Sequence, residues 1–219
     1  MDVYSFILAN REVFKLIYAI AILLICIIIV YKTNRLFHLS SHPGIRYFRN
    51  AFFFYGMAFF SRYILNYLIG SFASIVFFEF FLIIAGFFLL YSLIWRHLEK
   101  EKWSASSLFN SKISLFYAMA LALVLIDFLW GTIFVMLASQ VIVFVIASIL
   151  SFKNYKKRQK SRFPGFYFLA MLLMLSAWIL NSLAAFFFNW NLVALINVYI
   201  FNVLFFLVFL FGVVKFTNH

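Results

Sequence analysis

The stretch Phe163–Val214, FPGFYFLAMLLMLSAWILNSLAAFFFNWNLVALINVYIFNVLFFLVFLFGVV, contains no charged residue. A soluble fold would have to place much of this run in water, whereas a bilayer solvates it. As one helix it would be far longer than the hydrocarbon thickness, so it must fold back. Asn189-Trp190-Asn191 is the natural turn. A β-barrel would show short alternating segments instead of continuous apolar runs, so the spans are helices.

The same logic extends outward along the chain. From Ile113 to Phe152 the only charge is Asp127, and forty helical residues would run about 60 Å, so the chain turns at Trp130-Gly131-Thr132. Arg49–Arg96 turns at Gly70-Ser71. The expected helices are 13–31, 48–69, 72–95, 113–129, 132–152, 166–188 and 191–216, forming one membrane domain over residues 1–219. The fold class is all-α: a polytopic seven-helix membrane bundle. Of the 219 residues 67% are hydrophobic and 11% charged, which fits this class and excludes an ordinary soluble domain. The first apolar span, Phe14–Tyr31, is too long for a signal-peptide core and reads as a retained helix. Cys26 is the only cysteine, so no disulfide forms within the chain.

Charge sets the expected orientation. Loop 1–2 carries Lys32, Arg35, Arg46 and Arg49, and loop 3–4 carries Arg96, Lys100, Lys102 and Lys112. Loop 5–6 carries Lys153, Lys156, Lys157, Arg158, Lys160 and Arg162, and Lys215 lies in the tail. With seven helices, 15 of the 18 Lys and Arg share one side, and only Arg11 and Lys15 precede helix 1 on the other. Basic excess marks the cytoplasm, so the N-terminus is expected outside the cell and the C-terminus inside. Topogenic charge also accounts for the net charge of +12 without nucleic acid as a partner. The run Lys153–Arg162 is a candidate site for anionic lipid headgroups or an acidic protein partner.

Helix 2 carries Ser61-Arg62-Tyr63-Ile64-Leu65-Asn66-Tyr67-Leu68, and helix 6 carries Ser176-Ala177-Trp178-Ile179-Leu180-Asn181-Ser182-Leu183. Five of eight positions are identical, and both helices follow a Pro-Gly pair, Pro43-Gly44 and Pro164-Gly165. These matches suggest a 3+1+3 parallel repeat. That layout resembles, in topology, the SWEET and PQ-loop transporters, and its orientation resembles seven-helix receptors. No PQ dipeptide occurs, and no lysine stands mid-way along helix 7 where a retinal protein needs one.

Ionisable groups inside the membrane are the strongest functional pointers. Arg62 and Glu79 lie at matching depth, roughly 12–14 Å below the Gly70 turn, and an ion pair between them is expected. Asn66, Asp127, Gln140, Asn181, Asn197 and Asn202 complete a polar layer in the outer half. Two readings follow: interhelical hydrogen bonding, or a pocket for a small polar ligand that opens outward. Below it the helices are apolar at Phe52–Phe54, Phe80–Ile84, Val141–Ile146 and Phe205–Leu210, and an apolar plug is expected there. His38 and His42 lack a third ligand, and no HExxH, GxSxG or similar motif occurs, so no metal, cofactor or enzymatic activity is expected. The leading function is a receptor- or sensor-like module. The alternatives are a small-solute or ion transporter or channel, and a structural subunit of a membrane assembly.

Overall fold

The computed structural model describes residues 10–40, 43–98, 108, 111–157, 162–188 and 191–217. Among them the chain is all-helical, in seven rods. They are α1 (Arg11–Ser40), α2 (Pro43–Phe60, continued by a π-helical segment Ser61–Leu65 and a last turn Asn66–Ile69), α3 (Ser71–Leu98), α4 (Ser111–Trp130), α5 (Phe134–Lys157), α6 (Arg162–Phe186) and α7 (Leu192–Thr217).

Every rod except α2 contains a span long and apolar enough to cross a bilayer: Glu12–His38, Ser71–Ile94, Ile113–Trp130, Phe134–Lys157, Pro164–Phe186 and Ala194–Lys215. Large apolar side chains stay exposed along their outer faces, including Ile17, Leu24 and Ile28 on α1, Leu121 and Leu125 on α4, and Ile200, Leu204 and Leu207 on α7. Such a belt is untenable in water and ordinary against lipid tails. The chain is a multi-pass α-helical membrane protein.

The rods close into a ring. Each of α1, α2 and α3 packs on the next, α3 packs on α5, α5 on α6, α6 on α7, and α7 returns to α1. α4 stands outside the ring against α3 and α5. α3 is the most enclosed rod: every residue from Leu82 to Leu89 is buried. A helix apolar on all sides needs neighbours on all sides, and α2, α4 and α5 supply them. Close approach has a local cause at Gly86, where a Cβ would lie 2.6 Å from Gln140 Oε1 on α5.

The turns follow the sequence's punctuation. Gly70 and Gly131 have φ of 85° and 64°, values that favour glycine. At Gly131 the backbone closes a Schellman motif: Gly131 N–H donates to Phe128 O (3.2 Å) and Thr132 N–H to Asp127 O (3.1 Å). Asn191 Oδ1 accepts from Ala194 N–H at 2.8 Å and so caps α7.

Two expectations change. α1 continues to Ser40 rather than ending near residue 31, because Lys32–His38 form further helical turns at the basic end. α2 begins at Pro43, a residue suited to a first helical turn, so Arg46 and Arg49 belong to the helix rather than to a loop. Arg49 Nη1 donates to Asn34 Oδ1 at 2.6 Å, which ties α2 to α1.

Candidate functional site

α2 owes its shape at the site to its sequence. Ser61 Oγ donates back to Met57 O at 2.8 Å, and the next residues widen into the π segment Ser61–Leu65. Hydroxyl back-bonding of this kind competes with the regular ladder, and π-turns recur at functional sites. This wide turn presents Arg62 and Tyr63 to a cavity of about 550 Å³ enclosed by the ring. The π segment is absent from the sequence reading, which treated helix 2 as regular. The back-bonding serine is the one local signal for it.

The cavity reaches the surface beside the Gly70 turn, at Glu12, Tyr67 and Ser71. Lys15 and Glu12 form a 2.6 Å salt bridge on this rim. From Gly70 to Tyr55, the cavity's floor residue on α2, is about 22 Å of helix. Beneath the floor the interior is closed by rings. Phe52 is fully buried against Phe48, Tyr55, Phe206 and Phe209, with centroids 4.9, 5.9, 6.0 and 5.1 Å away. Tyr47, Tyr91, Phe88 and Phe54 continue this packing toward the basic end.

The polar residues singled out in the sequence divide into two groups. Arg62, Asn66, Glu79, Asn181 and Asn202 all line the cavity. Asn181 Nδ2 donates to Asn202 Oδ1 (3.3 Å), and Asn202 Nδ2 donates to Tyr18 Oη (3.1 Å), linking α6, α7 and α1. Across the Gly70 hairpin, Ser74 Oγ donates to Asn66 Oδ1 at 3.1 Å.

Asp127, Gln140 and Asn197 lie off the cavity. The Asp127 carboxylate accepts from Val135 N–H (2.8 Å), Met136 N–H (2.6 Å) and Thr132 Oγ1 (3.3 Å), so it caps the N-terminus of α5. Its chemistry is structural. Gln140 is fully buried between α5 and α3, where Nε2 donates to Leu82 O at 3.4 Å. Asn197 lines a second, smaller cavity of about 240 Å³ with Leu180, Ala184 and Asn191.

The expected Arg62–Glu79 ion pair is not formed. Among the described residues the one salt bridge is Lys15–Glu12. The Arg62 guanidinium instead lies over the Phe78 ring, 5.7 Å from its centroid. Glu79 is only 4% exposed and makes no hydrogen bond to a described residue; the charges it feels are those of Asp127 and Arg62. Matching depth placed the two residues on the same cavity, but depth along two helices leaves the rotation of each side chain free.

The remaining wall is largely aromatic. Tyr18 stacks on Tyr199 (centroids 4.1 Å, interplanar 10°) and meets Phe59 edge-on at 5.6 Å. Tyr55, Trp178, Phe205 and Phe206 close the base. Aromatic wall residues escaped the sequence reading because phenylalanine and tyrosine occur on every rod and mark no site by type.

At the opposite end, Lys153, Lys156 and Lys157 are exposed on the last turns of α5, with Lys156 Nζ 5.4 Å from the Phe152 ring centroid. Arg158, Lys160 and His42 lie outside the described residues, and Arg162 is placed only as the first residue of α6. No group of three metal-ligating side chains occurs among the described residues.

No family model matches this chain. It is similar to an uncharacterized protein of Archaeoglobus fulgidus, with 29% identity over 184 residues covering 75% of this chain and 76% of that protein. No solved structure matches. The geometry therefore carries the functional reading of this multi-pass membrane protein.

Proposed function

We propose that this chain is a receptor- or sensor-like membrane module that binds a small ligand in a cavity open to the cell exterior. The observation that carries the reading is the blind end. A cavity with buried polar groups enters from the Gly70 face and stops at the packed rings around Phe52. A permeation path needs groups that replace hydration at each step, and around Phe52 the packed phenylalanines Phe48, Phe206 and Phe209 offer none.

The reading includes seven crossings, with α2 as the seventh. α2 is held between α1 and α3, so it can carry Arg46, Arg49 and Arg62 where a lipid-facing rod could not. Seven crossings put the basic ends together, with the N-terminus outside. Labelling of single cysteines at residues 70 and 156 in intact cells checks this. Modification of residue 156 from outside, with residue 70 protected, rules the orientation out. Ligand occupancy would be read out by a protein partner at the basic face, where Lys153, Lys156 and Lys157 also suit anionic lipid.

A transporter is the second reading, favoured by the ring itself. The closures α3–α5 and α7–α1 are equivalent under a 3+1+3 repeat, and such repeats are common in transporters. Flux separates the two. Purified chain in liposomes, offered alkali cations, protons, sugars and amino acids, is expected to move none of them. Saturable uptake that is lost in Glu79→Gln would establish transport and overturn the receptor reading.

A further inference from the structure

We propose that the ligand of this cavity is a small zwitterion of the amino-acid class, with an ammonium held at Glu79, a carboxylate at Arg62 and an apolar body among the aromatic walls. The proposal rests on the reading of the cavity as a ligand pocket, and it names the ligand's chemistry.

Two opposite charges face one cavity without meeting. Glu79 is more than nine-tenths buried and accepts no hydrogen bond from a described residue. Another carboxylate, Asp127, acts on it electrostatically; it is engaged with the α5 N-terminus and supplies no compensation. Arg62 rests on Phe78, and no carboxylate of a described residue lies within salt-bridge distance. A ligand that fills the cavity displaces the water there, and each charge then requires a partner on the ligand. A simple cation would satisfy Glu79 and repel Arg62; a simple anion would do the reverse. A ligand bearing both charges satisfies both groups and adds no net charge to the membrane interior. The guanidinium fork suits a carboxylate, which it can bind through two parallel hydrogen bonds.

The rest of the wall suits the rest of such a molecule. Tyr18, Phe59, Trp178 and Phe206 offer ring faces and edges to an apolar side chain, and ring faces also attract an ammonium. A cavity of about 550 Å³ lies within the size range of small-molecule sites.

The test is equilibrium binding to the full chain in lipid nanodiscs, using tritiated glycine, L-leucine and L-phenylalanine. L-phenylalanine is expected to bind saturably. Phenethylamine lacks the carboxylate and 3-phenylpropionate lacks the ammonium, and each should compete at least about tenfold more weakly, because each leaves one protein charge unmatched. Glu79→Gln should close the gap between phenylalanine and 3-phenylpropionate; Arg62→Gln should close the gap to phenethylamine. The analogue comparison needs only the unaltered chain, so it stands even if a variant fails to fold. Absence of saturable binding by all three amino acids, or equal competition by either analogue, overturns the proposal. Tight phenethylamine binding without flux would sink the zwitterion and leave the receptor reading intact. Amino-acid binding with flux would do the opposite.

Discussion

Phe52 and Phe59 stand two turns apart on the same face of α2, and they belong to different kinds of interior. Phe52 is sealed among Phe48, Tyr55, Phe206 and Phe209. Phe59 touches Tyr18, Tyr63, Phe78 and Phe206 but forms part of the cavity wall. Lipid gives little hydrophobic drive for helices to associate, so stability comes from close packing and interhelical hydrogen bonds. The basic half of the ring has that packing. The other half gives up packing for an open volume and retains charged groups that are expensive inside a membrane. One end of the bundle holds the rods together, and the other encloses an open cavity.

The largest expected effect follows from that contrast. Phe52→Ala should lower stability by about 3 kcal/mol, since a fully packed ring leaves a void that its neighbours cannot fill. Phe59→Ala should lose only about half as much, because one side of its ring already faces open space. Unfolding in mixed detergent micelles measures both. Equal losses would mean that the two halves are packed alike.

Asp127→Ala comes next. It removes the acceptor for Val135 and Met136 N–H at a buried helix end and should cost about 2 kcal/mol. Asp127→Asn should retain part of that stability, since an amide oxygen still accepts. A loss under about 0.5 kcal/mol for the alanine variant would show that water takes over the cap.

Gly86→Ala should cost about 1–2 kcal/mol by driving a methyl against the Gln140 amide. In a Gln140→Ala background the additional cost of Gly86→Ala should largely vanish, because the colliding atoms are then gone. An undiminished cost in that background would place the strain in the α3 and α5 backbones instead.

These residues show what was legible in the sequence. Charge-free runs and Gly turns gave the rods, because a bilayer permits few alternatives for an apolar run of fixed length. Counting from Gly70 and from the Asn189 turn gave depth, which brought Arg62, Glu79 and Asn181 to one cavity. Depth set Asp127 closer to the outer rim but did not give its role. Its role depends on the Schellman turn that folds the start of α5 back over its carboxylate. The π segment was hidden too, since Ser61 looks the same whether its hydroxyl faces a neighbouring rod or bonds back to Met57. Rotation about each helix axis is the quantity that spacing alone does not carry.

The smallest expected effect bears on the two cavity charges. Arg62→Ala should cost about 1 kcal/mol, mainly through loss of the contact with Phe78. Glu79→Gln should change stability by less than about 1 kcal/mol, because no described group donates to that carboxylate. A closed buried ion pair would behave differently: removing one partner would strand the other charge, at a cost of about 3–5 kcal/mol. The double variant therefore decides more than either single one. In a double-mutant cycle on ligand-free protein, coupling between positions 62 and 79 should stay below about 0.5 kcal/mol. Coupling above about 2 kcal/mol would mean that the guanidinium leaves Phe78 and closes on the carboxylate in the membrane. The cavity would then hold a neutralised pair, a ligand would have to break that pair to bind, and the contrast between a close-packed inner half and an outer half with two unpaired charges would disappear.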